Sequence, residues 1–448
     1  MRELIRLRAL RRAGGSIVVP LECSAGIRPY LRERAFWATY QPALALDRIP
    51  DSILYIPAVS SLLGLCWALG ASVSVDVLDA RFVDAARAVA RVLQAFYPSF
   101  RTSESDMLVG RLDSSLPIMT ERVGLLYSGG IDSNSSLISH RDEVTDLFTV
   151  WGADVATRNA RYWNSYLVPL IRGNAPTRGK RLHFIRSNTR EMVDELRLER
   201  ELGKVLPGES WWGAVQHGLG LISLTAPVAF REGIGRILMA STFSESLSRP
   251  WGSHPDVDDR LAWSGCSVAH DGFHRTRQAK IREVLAPYVL AGHRLRIAPC
   301  DRSTRGHGRL NCGVCVTCAK AQAGLLVAGV DPRLVGFALD ETTVQQVISK
   351  FERHSYLLGP TGAQLWRDVQ DDLPADPSRV LDLPGARSYV EWLRTFDFVA
   401  YAERVTARSD PPWKTSGLHL AKRIFRTLPW GIRERVTQTR FARAMIET

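Results

Sequence analysis

Residues 123–133 read VGLLYSGGIDS, an apolar run that leads into Ser128, Gly129 and Gly130 and then into residues that favour a helix. A strand, a glycine pair and a helix start form an arrangement that binds phosphate. Glycines allow a positive φ, and the first N–H groups of a helix are free to bind an anion. No lysine follows the glycines, which excludes a Walker A motif. The stretch therefore predicts a phosphate-binding loop at the end of a buried strand.

The sequence around this loop alternates between short apolar runs and helical stretches. Apolar runs occur at residues 123–127, 147–151, 182–185 and 237–240, with a weaker one at 295–297. Such alternation is typical of a parallel sheet with helices on both faces. We therefore predict an α/β fold over residues 116–330, a doubly wound parallel sheet with the phosphate loop after its first strand.

Four of the seven cysteines lie close together in the sequence, at Cys300, Cys312, Cys315 and Cys318. Thiolates from tight turns, joined by one from a preceding segment, can complete a tetrahedron around Zn²⁺. So few cysteines in a chain of 448 residues do not make a disulfide framework. We predict a structural Zn²⁺ site with four cysteine ligands. An iron–sulfur cluster is the alternative that the same spacing allows.

The two flanking zones contain no motif with an identifiable chemistry. In residues 1–115, Val73, Val75 and Val77 alternate with other residues as in a half-buried strand, and Asp79 can cap a following helix. This predicts an N-terminal α+β zone with a structural or oligomerisation role. Residues 331–448 have a helical pattern interrupted by prolines and end in a basic stretch, which predicts a helical, basic C-terminal region.

The composition, with 45% hydrophobic and 23% charged residues, is typical of a globular protein. The basic N-terminal stretch is not followed by an unbroken apolar segment, so we expect neither a signal peptide nor a membrane span. The expected location is therefore the cytoplasm, with no membrane partner. The formal net charge of +12 is compatible with a nucleotide or a nucleic acid as a partner.

The segment SGGIDS at residues 128–133 matches the loop pattern SGGxDS. In this the chain resembles the PP-loop ATP pyrophosphatases, which have an adenine nucleotide alpha hydrolase-like fold. These enzymes cleave ATP between the α and β phosphates and adenylate a carboxylate or carbonyl oxygen. The resemblance implies that Ser128, Gly129, Gly130 and Ser133 hold pyrophosphate and that Asp132 lies near Mg²⁺.

The order of motifs is similar to that in the 7-cyano-7-deazaguanine synthase branch of this family, which has a zinc cluster of the form C…CGxCxxC downstream of the loop. Between loop and cysteines lie SHPDVDD at residues 253–259 and HRTRQAKI at residues 274–281. The resemblance implies that Lys280 binds phosphate beside Arg277 and that Asp256 faces the substrate. A solvated helix face for Lys280 and a turn or cap for Asp256 are the alternatives. Val257 stands where that branch has cysteine, so the resemblance supports the ATP chemistry better than a deazapurine substrate.

Two further residues are candidate contacts for adenosine or substrate. Asp154 follows the second predicted strand, at the carboxyl edge where open α/β sheets bind ligands. His217, in the segment WWGAVQHG, is predicted either to line the substrate pocket or to pack internally.

Together these features predict an ATP-dependent adenylating ligase with ATP, Mg²⁺ and Zn²⁺ as cofactors. Asp132 and Lys280 are its candidate catalytic residues, and its partners are a small-molecule acceptor and either ammonia or an amine. The first alternative is sulfur transfer to tRNA or a nucleobase with an iron–sulfur cluster, which the basic tail would suit. The second alternative is a non-catalytic nucleotide-binding regulator. The oligomeric state is left open.

Overall fold

The structure is a computed structural model of the 448-residue chain. It describes residues 3–118, 120–203, 206, 210–300, 309–376 and 381–408. The basic stretch at residues 409–448, part of the predicted C-terminal region, therefore lies outside the described residues.

Twelve strands form a single mixed sheet in the part of the chain that the structure describes. They are β1 (Leu4–Leu7), β2 (Arg11–Ala13), β3 (Ser16–Cys23), β4 (Ala35–Gln41), β5 (Ser72–Asp79), β6 (Met107–Asp113), β7 (Val123–Leu126), β8 (Val144–Trp151), β9 (Arg181–Ser187), β10 (Arg236–Ala240), β11 (Ala262–Trp263) and β12 (Cys266–Asp271). Their order across the sheet is β11-β12-β10-β7-β8-β9-β4-β3-β1-β5-β6, and β2 pairs with β3.

The centre of the sheet is parallel, in the order β12-β10-β7-β8-β9. Numbered along the chain and read from β9 to β12, these strands lie in the order 3-2-1-4-5, and the order reverses between β7 and β10. In open α/β sheets, ligands bind outside the carboxyl ends of the strands at such a reversal. The predicted phosphate loop follows β7 and therefore lies at this point.

The prediction of an α/β fold is confirmed, and so are the strands predicted at 123–127, 147–151, 182–185 and 237–240. The predicted strand at 295–297 is wrong, because this segment does not join the sheet. Its Ile297 N–H donates to the Val335 carbonyl, and the next residue, Ala298, bonds to the loop at Gly129. The fifth parallel strand is β12 instead. The prediction of a wholly parallel sheet is also wrong, because the sheet has antiparallel pairs on both sides of its centre.

The strands of the first 113 residues continue the central sheet. Strand β4 pairs antiparallel with β9, for example Tyr40 with Ile185, and joins the two groups of strands. The predicted strand around Val75 is β5, and its neighbours β1 and β6 run parallel to it. Buried apolar residues of both groups, such as Val73 and Phe148, share one core cluster, whereas other residues of the central strands, such as Leu125 and Leu147, belong to a separate cluster.

Seventeen α-helical segments occur in the described residues. They are α1 (Asp51–Leu54), α2 (Ile56–Leu69), α3 (Ala80–Phe96), α4 (Ile131–Ser139), α5 (Ala160–Tyr162), α6 (Val168–Gly173), α7 (Glu195–Leu202), α8 (His217–Ser223), α9 (Ala226–Glu232), α10 (Pro255–Asp258), α11 (Arg277–Lys280), α12 (Ala286–Leu290), α13 (Val316–Val327), α14 (Glu341–Glu352), α15 (Pro360–Asp371), α16 (Ala386–Thr395) and α17 (Phe398–Arg408).

Shorter helical turns complete the chain. Stretches of π-helix lie at Trp163–Leu167, Trp212–Gln216 and Ile281–Leu285, and 3₁₀ turns at Arg28–Tyr30, Leu46–Arg48, Thr102–Glu104, Ala175–Thr177, Glu245–Leu247 and Pro332–Val335. Helices α13 to α17 share an apolar cluster centred on Phe351 and Trp366. Among the described helices, none has the length and apolar character needed to cross a membrane.

Helix α3 begins where the sequence predicts, because Asp79 caps it. The Asp79 carboxylate accepts hydrogen bonds from the Phe82 N–H at 2.8 Å and from the Ser264 N–H at 3.1 Å. Ser264 lies between β11 and β12, so this one carboxylate links the N-terminal zone to the edge of the central sheet. Burial raises the pKa of Asp79 against the effect of these bonds.

We expect D79A to lower the free energy of unfolding by about 1–3 kcal/mol, since it removes the cap and leaves a buried N–H without a partner. D79N keeps the acceptor oxygen and should lose less. The matched control is D84A, at an exposed position of the same helix. Denaturant unfolding followed by circular dichroism measures the difference. Equal stability of D79A and D84A would contradict the role of the cap.

Candidate functional site

The loop between β7 and α4 has the backbone geometry of an anion cradle. Gly129 has a φ of +77°, a backbone conformation that favours glycine, and a Cβ atom added there would lie 2.8 Å from a Leu170 side-chain carbon. Gly130 precedes the first turn of α4 and provides no side-chain cap. The first N–H groups of the helix therefore remain available to an anion.

The loop also presents two hydroxyl groups and is tied down at its base. The Ser128 and Ser133 hydroxyl oxygens lie 3.3 Å apart. The Asn134 side-chain amide donates to the Gly130 carbonyl at 2.8 Å. Asn134 accepts in turn from the Tyr127 hydroxyl at 2.7 Å, and Asn174 donates to that hydroxyl at 3.0 Å. Sequence reasoning missed Tyr127, Asn134 and Asn174, because their shared network joins segments 40 residues apart.

Asp132 lies in the first turn of α4 between the two cations predicted from the sequence. Its carboxylate is 2.6 Å from the Arg277 guanidinium and 3.2 Å from the Lys280 ammonium. Burial alone would raise the pKa of Asp132, but the charges of Arg277 and Lys280 and their hydrogen bonds outweigh it, so the pKa lies below its usual range. The three side chains form a charged cluster with a net positive charge next to the loop.

Lys280 is almost completely buried, with only 2% of its surface exposed. Its ammonium group also donates to the Ser241 carbonyl, directly after β10, and burial lowers its pKa against the effect of Asp132. The alternative of a solvated helix face for Lys280 is therefore wrong. The lysine connects α11, the loop after β7 and the end of β10, which are the elements on either side of the reversal in strand order.

A cavity of about 540 Å³ opens at this reversal. The predicted site residues that line it are Ser128, Gly130, Asp132, Ser133, Asp154, His217, Arg277 and Cys300. Its walls also include residues at the carboxyl ends of three parallel strands, such as Leu126, Val150 and Ala240. The structure thus brings most of the predicted site residues to one cavity, with Gly129 in the loop itself and Lys280 behind Asp132.

Asp256 is the predicted site residue that lies elsewhere, since it is not among the residues that line the cavity. It is exposed in the first turn of the short helix α10. There its N–H donates to the His254 ring at 3.1 Å, and its carboxylate lies 3.4 Å from Arg260. These contacts fit the alternative interpretation of Asp256 as part of a turn.

The four clustered cysteines are brought together by the fold, with all four sulfur atoms within 4.8 Å of one another. The Cys300 and Cys315 sulfurs are 3.9 Å apart, and those of Cys312 and Cys318 are 4.0 Å apart. A tetrahedral Zn²⁺ with bonds of about 2.3 Å places its sulfur ligands about 3.8 Å apart. The cluster therefore could hold a single metal ion such as zinc.

Backbone N–H groups donate hydrogen bonds to the sulfur atoms of this candidate metal centre. The Cys315 N–H donates to the Cys312 sulfur at 3.2 Å, and the Cys318 N–H donates to the Cys315 sulfur at 3.3 Å. Such bonds stabilise the charged form of a thiol. The centre also adjoins the cavity, because Cys300 lines it and the Ala298 N–H donates to the Gly129 carbonyl at 2.8 Å.

Comparison with known proteins does not assign the chain to a family. No family model matches the chain, and neither the curated proteins nor the solved structures include a significant match.

We expect the purified protein to contain about one zinc ion per chain, because four thiolates complete a tetrahedral shell. C318S should lose most of this zinc and melt at a lower temperature, since metal binding to the folded state stabilises it. The control is C23S, because Cys23 lies outside the cluster. Elemental analysis with thermal melting measures both effects. Full zinc content in C318S, or iron with visible absorption in the wild type, would contradict the assignment.

Proposed function

We propose that the protein is an ATP-dependent adenylating enzyme of the PP-loop type, which converts ATP to AMP and pyrophosphate. The observation that carries this proposal is the joint position of the SGGIDS loop and the Asp132–Arg277–Lys280 cluster at the strand-order reversal. A glycine loop and a helix start at the cavity, with Arg277 in its wall and Lys280 behind Asp132, suit a polyphosphate.

ATP would lie with its phosphates on the loop at residues 128–133. The free N–H groups at the start of α4 and the two serine hydroxyls would bind phosphate oxygens. Arg277 and Lys280 now share Asp132 as their partner, and phosphate oxygens would replace it. The Asp132 carboxylate would then bind the Mg²⁺ that accompanies ATP, since Mg²⁺ prefers carboxylate and phosphate oxygens.

The proposed reaction has two steps. An acceptor oxygen attacks the α-phosphorus, a P–O bond forms, and the bond to the β-phosphate bridging oxygen breaks with its electron pair going to pyrophosphate. Ammonia or an amine then attacks the activated carbon, the C–O bond breaks, and AMP leaves with that electron pair while a proton is released. Lys280 and Arg277 would stabilise the charge that develops on the departing pyrophosphate.

The cysteine centre has a structural role in this proposal. A metal ion with four thiolate ligands has no open position for substrate. It would instead hold the segment at residues 298–300, which forms part of the cavity wall and bonds to the loop through Gly129. We also propose that the protein works in the cytoplasm.

We expect the full-length protein to bind Mg-ATP and to release AMP and pyrophosphate when incubated with a pool of carboxylic acids, ammonium and simple amines. K280M should lower ATP affinity roughly 10- to 100-fold, because it removes a charge-assisted hydrogen bond to phosphate. The control is K180M, because Lys180 donates to the Arg141 carbonyl and makes no contact with Asp132. Thermal melting verifies that both variants fold.

Chromatography of the nucleotides and a pyrophosphate assay measure the outcome. Release of ADP and inorganic phosphate would contradict the proposal, and so would an absence of ATP binding. Tight ATP binding without AMP from any acceptor would favour a nucleotide-binding regulator instead. AMP that appears only when tRNA is added would favour the nucleic-acid alternative.

A further inference from the structure

A second group of polar residues faces the cavity around the indole of Trp212. The indole N–H donates to the Asp154 carboxylate at 3.3 Å, and the edge of the indole contacts the His217 ring, with ring centroids 5.7 Å apart. Trp212 is buried, whereas Asp154 and His217 both line the cavity. The indole therefore holds a carboxylate and an imidazole side by side at the cavity surface.

His217 lines the cavity, and its Nδ1 atom is buried with no hydrogen-bond partner among the described residues. We therefore assign Nε2 as the ring nitrogen that meets a ligand. The ring is held between Trp212 and Trp251, whose centroids are 5.7 and 6.1 Å from its own. Burial lowers the pKa of His217, which favours the neutral imidazole, a form that can accept a proton.

The charges around this pair are negative in balance. Asp154 is exposed to the cavity, and Asp258 is buried with one oxygen unpartnered in the described structure. Both carboxylates oppose the lowering of the His217 pKa, whereas Arg190 and His270 add to it. Arg190 also lines the cavity, with its guanidinium 5.3 Å from the centre of the Trp212 ring, and it is paired with Glu195 at 2.8 and 3.2 Å.

We propose that Asp154 and His217 form the subsite for the nitrogen nucleophile and that this subsite takes a primary amine in its ammonium form. The Asp154 carboxylate pairs with the ammonium charge, and His217 Nε2 accepts one of its N–H hydrogens. Ala153 and Leu221 provide apolar cavity wall for the carbon part of the amine. The inference rests on the proposed function, since it assigns the second substrate of that reaction.

The subsite also accounts for the proton that the amine must lose before it attacks. One ammonium proton passes to His217 Nε2, and the free electron pair of nitrogen then forms the bond to the activated carbon. Asp258 favours the resulting imidazolium, because its negative charge acts to raise the pKa of His217. His217 thus acts as a general base.

Propylammonium is the probe for this subsite, and the experiment uses the zinc-loaded full-length protein without ATP. The readout is the NMR resonance of the Trp212 indole N–H, assigned with W212F. We expect a saturable shift with propylammonium, a weaker response to ammonium and none to propionate. D154N should reduce the affinity for propylammonium roughly tenfold. D256N is the matched control, at an exposed aspartate outside the cavity, and should not change it.

The pH dependence tests His217 separately. Protonated His217 repels an ammonium ion, and burial lowers the pKa of His217, so wild-type affinity should fall on the acid side of the usual histidine range. H217Q keeps an acceptor but does not titrate, and its affinity should stay level over the same range. The inference is overturned by equal affinity for ammonium and propylammonium, by an unchanged affinity in D154N, by a response to propionate, or by an acid-side loss that persists in H217Q.

These measurements need neither ATP nor an acceptor, so their failure is distinguishable from failure of the adenylation reaction. If AMP forms but propylammonium does not bind, only the amine subsite is wrong. If propylammonium binds as expected but ATP does not, the adenylation proposal is wrong and the pair is an amine site of another reaction.

Discussion

The pairing of Asp132 with Arg277 and Lys280 is the interaction on which the candidate site depends. It joins the loop after β7 to helix α11, and Lys280 extends the connection to the carbonyl of Ser241 after β10. A buried lysine without a partner would be strongly destabilising. The pairing therefore fixes two cations beside a loop of free N–H groups, at the position where the strand order reverses.

Local patterns of the sequence were sufficient to predict the centre of this architecture. The apolar runs identified four of the five central parallel strands, and the glycine pair located the loop, because these features depend on residues close together in the chain. Asp79 as a helix cap is a prediction of the same kind, and it is confirmed by the hydrogen bond from Phe82. The clustered cysteines likewise predicted a metal centre from their spacing, and their four sulfur atoms do lie close together.

The remaining features depend on contacts between distant segments. The pairing of β4 with β9 extends the sheet into the first 113 residues, and nothing in either strand alone indicates its partner. The segment at 295–297 has a strand-like pattern because Leu295 and Ile297 are buried, but it packs under the loop while β12 occupies the sheet. Asn174 and Tyr127 support the loop through side chains that only the fold brings together.

The most direct test of the account is a crystal structure of the full-length protein with Mg²⁺ and the α,β-methylene analogue of ATP, which resists cleavage at the proposed bond. The account predicts that the β and γ phosphates contact the N–H groups at the start of α4 and the side chains of Arg277 and Lys280. It also predicts Mg²⁺ on Asp132. Phosphates bound elsewhere, with the Asp132–Lys280 pair intact and the cavity occupied by another group, would contradict it.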